Sequence, residues 1–164
     1  MAYVSKEDKK NLTPAIKAVL KKYNMKGTIS VSNMSSLNVK LSQGELDILG
    51  ASKQGAIDSN RYDYFLADDV KRLNYYLEAT HIDVNTYWIE EHYKNAKVVA
   101  FLTELRTAME GPEFFNEDDM MTDYAYRSHY VNILVGTWTK PYICTGEEKI
   151  FEPVHQMFYE EVAG

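Results

Sequence analysis

Up to residue 23 the apolar residues recur every three or four positions, and from Thr28 they recur every two. That change of period demands a helix followed by strands, and so a fold that mixes the two. Leu12, Ile16, Val19, Leu20 and Tyr23 form the helical stripe and leave Lys17, Lys21 and Lys22 outside it. Ser5 and Asp8 have the spacing of a capping box, while Thr13-Pro14 offers a second start with proline at the first helical position. The pattern predicts one helix over 5–23, irregular near Pro14, ended by Asn24 to Gly27.

The strands begin with Ile29 and Val31. A polar "SNMSS" turn follows, and then Leu37, Val39 and Leu41 alternate with Asn38 and Lys40. "SQGELDIL" predicts a tight turn at Gln43-Gly44 and a third strand with Leu46 and Ile48 on one face, completing an antiparallel meander. Residues 50–67 keep no steady period and are expected to be loop. Asp68 is placed to cap a short helix bearing Val70, Leu73, Tyr76 and Leu77. "HIDVNTYWI" is expected to be extended, with Ile82, Val84 and Tyr87 inward.

A second long helix is predicted over 94–110. Val98, Phe101, Leu102, Leu105, Ala108 and Met109 share its stripe, and Gly111-Pro112 stops it. In "YVNILVGTW", Val131, Ile133 and Val135 alternate strictly with Asn132, Leu134 and Gly136, which is a strand pattern. Pro153 can open a short final helix. The expected fold is therefore α+β, an antiparallel sheet of four to five strands with two main helices packed on one face. One domain is expected over 1–164, with 50–80 the place for an insertion and 143–164 a peripheral segment.

Charge and composition narrow the function classes. The net charge of −6 divides unevenly, with +4 over residues 1–60 and −10 over 61–164. A phosphate backbone repels the larger part, so direct nucleic-acid binding by the whole chain is disfavoured. The single cysteine, Cys144, excludes an intramolecular disulfide and suits a reducing compartment. No apolar run approaches the roughly 18 residues of a spanning helix, so no membrane role and a cytoplasmic location are expected. The thirteen tyrosines combine apolar bodies with polar tips, as core rims and binding faces both do.

Two clusters invite a chemical reading. Glu117, Asp118, Asp119 and Asp123 form an acidic run, but Met120, Met121 and Thr122 interrupt the alternation a calcium loop needs, and no central glycine is present. The histidines, His81, His92, His129 and His155, match no zinc spacing. "YIC" suits a buried, inert thiol at Cys144. There is no nucleophile elbow, phosphate-cradling loop or dinucleotide fingerprint. No metal, cofactor or catalytic residue is expected.

The order of a helix, a meander and a later helix with Lys94 and Lys97 at its start follows that of double-stranded-RNA-binding domains. A further strand and Glu90 and Glu91 set the chain apart from them. In "IKAVLKKY", "GTISVSNMSSLNVKL", "YW" before "AFLTEL", and "YVNILVGTW", the sequence resembles small uncharacterised proteins of tailed bacteriophages. It is also similar to a domain associated with the large polyvalent proteins of phages and conjugative elements. The resemblance covers about two thirds of the chain, outside 50–80 and 143–164. It implies a mobile-element setting, in which small acidic proteins block host defences, and supplies no catalytic residues.

The expected function is thus a non-enzymatic accessory protein of a phage or mobile element, acting in the cytoplasm of the bacterial cell that carries it. It would bind a host protein, one with a basic groove, and inhibit a defence or nucleic-acid-processing system. Carboxylates can satisfy the same Arg and Lys side chains that phosphates do. The expected partner-binding residues are Glu117, Asp118, Asp119, Asp123, Tyr124 and Tyr126, with Glu90 and Glu91 second. The alternative is a nucleic-acid-binding module using Lys9, Lys10, Lys17, Lys21 and Lys22. A third reading is an enzyme built around His81, Asp83 and His92. Homo-oligomerisation stays open.

Overall fold

The computed structural model of this chain describes residues 3–59, 66–112 and 129–155. Helix α1 runs over Lys6–Lys22. Its capping box forms as the spacing predicts: Asp8 N–H donates to Ser5 Oγ at 3.0 Å, and Ser5 N–H donates to the Asp8 carboxylate at 2.9 Å. Pro14 sits on the exposed side and does not break the helix. Asn24, at φ 53°, then turns the chain into β1, Met25–Ser32. Asn33 and Met34 also take positive φ, and the chain returns antiparallel as β2, Ser36–Gly44.

The predicted third strand of the meander is a helix. Asp47 accepts from Gly50 N–H at 2.9 Å and caps α2, Ile48–Asp58, so residues 50–58 of the expected loop are helical too. Leu46 and Ile48 are both buried, Leu46 in the bend before α2 and Ile48 as its first residue, rather than on a strand face. Helix α3, Ala67–Leu77, buries Val70, Leu73 and Leu77 as expected. Leu66 occupies its cap position, and Asp68 lies in the first turn instead. Strand β3, Ile82–Val84, is short. Beyond it Asn85 turns the chain, accepting from Tyr87 N–H through its side chain and from Trp88 N–H through its carbonyl. Tyr87 therefore faces outward, 65% exposed, not inward.

A single helical turn, α4 (Ile89–His92), precedes α5, Ala96–Glu110. Asn95 caps α5 by accepting from the Lys97 and Val98 N–H groups at 3.0 and 3.2 Å. Val98, Phe101, Leu102, Leu105 and Met109 are all fully buried, and Gly111, at φ 80°, ends the helix. Strand β4, Tyr130–Val135, and the two-residue β5, Ile143–Cys144, complete the sheet. Residues 151–155 are not helical, and the rest of the predicted final helix lies outside the described residues.

The sheet is mixed rather than antiparallel, in the order β1-β2-β4-β3. β4 pairs parallel with β2, with Val39 opposite Ile133, while β3 pairs antiparallel with β4. β5 also runs parallel to the end of β2. Parallel neighbours need a long crossover, and the chain holding α2, α3, β3, α4 and α5 supplies it. The α+β class and the packing of α1 and α5 against the sheet are as expected.

Alternation decides which face they cover. Leu37, Val39 and Leu41 of β2 and Ile133 and Val135 of β4 point into a core with Ile16, Leu20, Phe101 and Leu105. The opposite face is polar: Asn132 Nδ2 donates to Asn38 Oδ1 at 2.9 Å, and Asn38 Nδ2 donates to Ser32 Oγ at 3.0 Å. A smaller cluster joins Ala56 of α2 to Leu73 and Leu77 of α3, with Phe151 and Val154 against it.

Candidate functional site

Of the predicted partner-binding residues, Glu117, Asp118, Asp119, Asp123, Tyr124 and Tyr126 lie outside the described residues. The two ends of their stretch are placed. Pro112 follows α5, and His129 precedes β4 with its ring buried and Nε2 2.8 Å from the Met109 carbonyl oxygen. Beside His129 lies a cavity of about 250 Å³, lined by Val84 to Tyr87, Arg106, Glu110 and His129 to Asn132. Arg106 closes one wall, donating to the Thr86 carbonyl at 2.7 Å and lying 3.7 Å from the Glu110 carboxylate.

The Asn85 turn then presents Tyr87 and Trp88 to solvent, at 65% and 52% exposure. Glu90 and Glu91 follow at once on α4 and are exposed. Ile89 and Tyr93 are buried on either side of them and anchor the turn. Glu90 and Glu91 thus follow two exposed aromatics in the chain, and Tyr87 shares its cavity with Glu110 and His129, which flank the acidic stretch. Sequence reasoning missed the aromatics because it ran the alternation of β3 past Asn85.

The residues of the enzymatic reading fall on different elements, His81 and Asp83 at β3 and His92 on α4. His81 sits just before β3, its ring edge-on to Trp138 at 5.8 Å, with Nδ1 buried and unpartnered. Asp83 lies opposite Leu134 on the sheet face away from the helices, where desolvation pushes its carboxyl up. His92 ends α4. Among the described residues no three His, Cys, Asp or Glu side chains come together to hold a metal ion. Burial raises the Cys144 thiol, which opposes a reactive thiolate.

The lysines fare differently. Lys6, Lys9, Lys10 and Lys17 line a groove of about 750 Å³ between α1 and β1, over Pro14, Leu20 and Ile29. A neighbouring hollow of about 720 Å³ shares Lys17 and adds Lys21 and Lys26. Lys22 turns away to the Glu104 carboxylate of α5, at 2.6 Å. Four of the five lysines singled out in the sequence therefore share one side of α1, and Lys6 and Lys26 join them. The signal for Lys6 was its spacing of four from Lys10.

Among the described residues no helix is long and apolar enough to cross a membrane. No protein-family model, curated protein or solved structure matches this chain.

Proposed function

We propose that this chain is a non-enzymatic binding protein of a phage or mobile element, engaging a host protein through an acidic, aromatic corner. The observation that carries the reading is the exposure of Tyr87 and Trp88 immediately before Glu90 and Glu91. Large aromatics cost free energy to leave in water, and they are the residues that most often dominate protein interfaces. Carboxylates around them suit a basic partner, because charge complementarity speeds encounter and rejects like-charged surfaces. Glu117, Asp118, Asp119, Asp123, Tyr124 and Tyr126 carry the same chemistry on the stretch between Pro112 and His129, and His129 lines the cavity that Tyr87 also lines. The resemblance to phage proteins makes a host defence or nucleic-acid-processing protein the target class.

Affinity capture from bacterial lysate tests the reading, run with three proteins side by side. These are the unaltered chain, Tyr87→Ser with Trp88→Ser, and Glu117→Gln with Asp118→Asn, Asp119→Asn and Asp123→Asn. A specific partner should be recovered by the first and reduced at least about tenfold by either variant, because central aromatic and charged contacts carry several kcal/mol. Duplex DNA should compete if the partner's groove is a nucleic-acid site. Equal recovery by all three proteins would remove the corner from the interface.

A further inference from the structure

The opposite charge marks the sheet's other edge, at β1. β1 ends the strand order, and among the described residues no strand pairs with its outer side. An unpaired edge offers main-chain N–H and C=O groups to another strand, and lysines commonly guard such edges against chance pairing. Here the guard is one-sided in sign. Lys6, Lys10, Lys17 and Lys21 stand at intervals of four, seven and four along α1, which is one stripe of the helix. Among the described residues none of the four forms an ion pair. No acidic side chain lines the groove between this stripe and Gly27 to Ile29 of β1.

We infer that the β1 edge takes an extended acidic polypeptide segment as an added strand, its carboxylates set against the α1 lysines. Dimensions agree. The fifteen residue steps of helix from Lys6 to Lys21 rise about 22 Å at ~1.5 Å each, and the eight residues of β1 span about 26 Å at ~3.3 Å each. A strand laid beside β1 turns every second side chain toward α1, so acids at alternate positions meet the stripe repeatedly. Pro14, Leu20 and Ile29 form an apolar floor for the chain between them. A lysine-guarded edge attracts an acidic strand, repels a basic one and gains nothing from the charge of a neutral one, which gives selectivity without a deep pocket.

A nucleic-acid strand fits the groove less well. No aromatic side chain or arginine lines it, so bases find no stacking platform and phosphates no bidentate partner. The inference does not depend on the acidic corner, which lies on other elements.

The test uses the full chain and three fluorescent probes about the length of β1: a peptide alternating Glu and Thr, its twins N-methylated on alternate residues in either register, and a single-stranded DNA oligonucleotide. The acidic peptide should bind, and one N-methylated twin should bind at least about tenfold more weakly, because N-methylation removes the ladder donors and leaves the charge. Replacing Lys6, Lys10, Lys17 and Lys21 with Gln should weaken the peptide by a similar factor of about ten. Hydrogen exchange of β1 amides should slow with peptide bound. Absence of peptide binding, binding indifferent to N-methylation in both registers, or DNA binding at least about tenfold tighter than the peptide would each overturn the inference. The twin comparison needs no altered protein, so it decides the matter even if the lysine variant does not fold.

Discussion

His129 Nε2 lies 2.8 Å from the carbonyl oxygen of Met109, in a buried contact joining the start of β4 to the last turn of α5. The final carbonyls of a helix have no partner within it, so a buried one needs a donor from elsewhere. The contact also holds together the two ends of the stretch that carries the acidic run. His129→Ala should cost about 1–3 kcal/mol, the range for leaving a buried polar group unsatisfied. Urea unfolding measures it, and a loss below roughly half a kcal/mol, typical of surface changes, would mean the carbonyl has another partner.

The core prediction rests on α5. Leu102 is wholly buried between the sheet and α1, in the cluster with Ile16, Val39 and Ile133. Leu102→Ala removes its contacts and leaves a cavity, so it should destabilise by about 2–5 kcal/mol in denaturant melts. Val99, only partly buried on the same helix, should cost less when cut to Ala.

Acid should loosen the contact between α1 and α5. Hydrogen bonds from Lys22 and then Tyr23 hold the Glu104 carboxyl below its ordinary value of 4.5. A carboxylate whose value is lowered by folding contributes stability that is fully present above 4.5 and is lost as pH falls through the lowered value. Melting temperature should therefore drop as pH descends below that point, and Glu104→Gln should flatten part of the fall. Because the pair is solvent-accessible, added salt should shrink the difference between the two proteins. Identical acid profiles for both would show that the Lys22–Glu104 bridge contributes nothing measurable.

Large apolar side chains made α1, α5 and β4 legible, since Ile16, Phe101, Leu102 and Ile133 give periodicity a strong amplitude. Helix α2 was misread for the converse reason. After Ile48 and Leu49 its buried side is made of Gly50, Ala51, Ser52, Gly55 and Ala56, whose small side chains carry little hydrophobic contrast. The strand at Tyr130 was evident, but alternation says nothing of which neighbour a strand takes. The parallel pairing of β4 with β2 needed the crossover to be seen. The lysine groove was hidden likewise: the spacing of Lys6, Lys10, Lys17 and Lys21 places them on one stripe, but only the sheet order makes β1 an edge. Tyr87 was lost to a single residue, Asn85, whose side chain and carbonyl end the strand early.

Gly55 tests whether the small residues of α2 are there for close packing. In an ordinary helix interior Gly→Ala stabilises by up to about 1 kcal/mol, because alanine has less backbone freedom to lose. At Gly55 an added Cβ would collide with the carbonyl oxygen of His92, the last residue of α4. Two further constraints keep the elements from simply separating: Lys94 N–H donates to the Ala51 carbonyl at 3.1 Å, and Ile89, which opens α4, and Tyr93, which follows it, are both buried. Gly55→Ala should therefore reverse the usual sign and destabilise by about 1–3 kcal/mol, as overpacking does. It should also disturb the loop ahead of α4, so the emission of Trp88 should shift relative to a protein carrying Trp138→Phe alone. The double variant Gly55→Ala with Trp138→Phe isolates that signal. A stabilised protein with unchanged Trp88 emission would show that α4 can yield freely, and that the acidic, aromatic corner is not rigidly seated on α2.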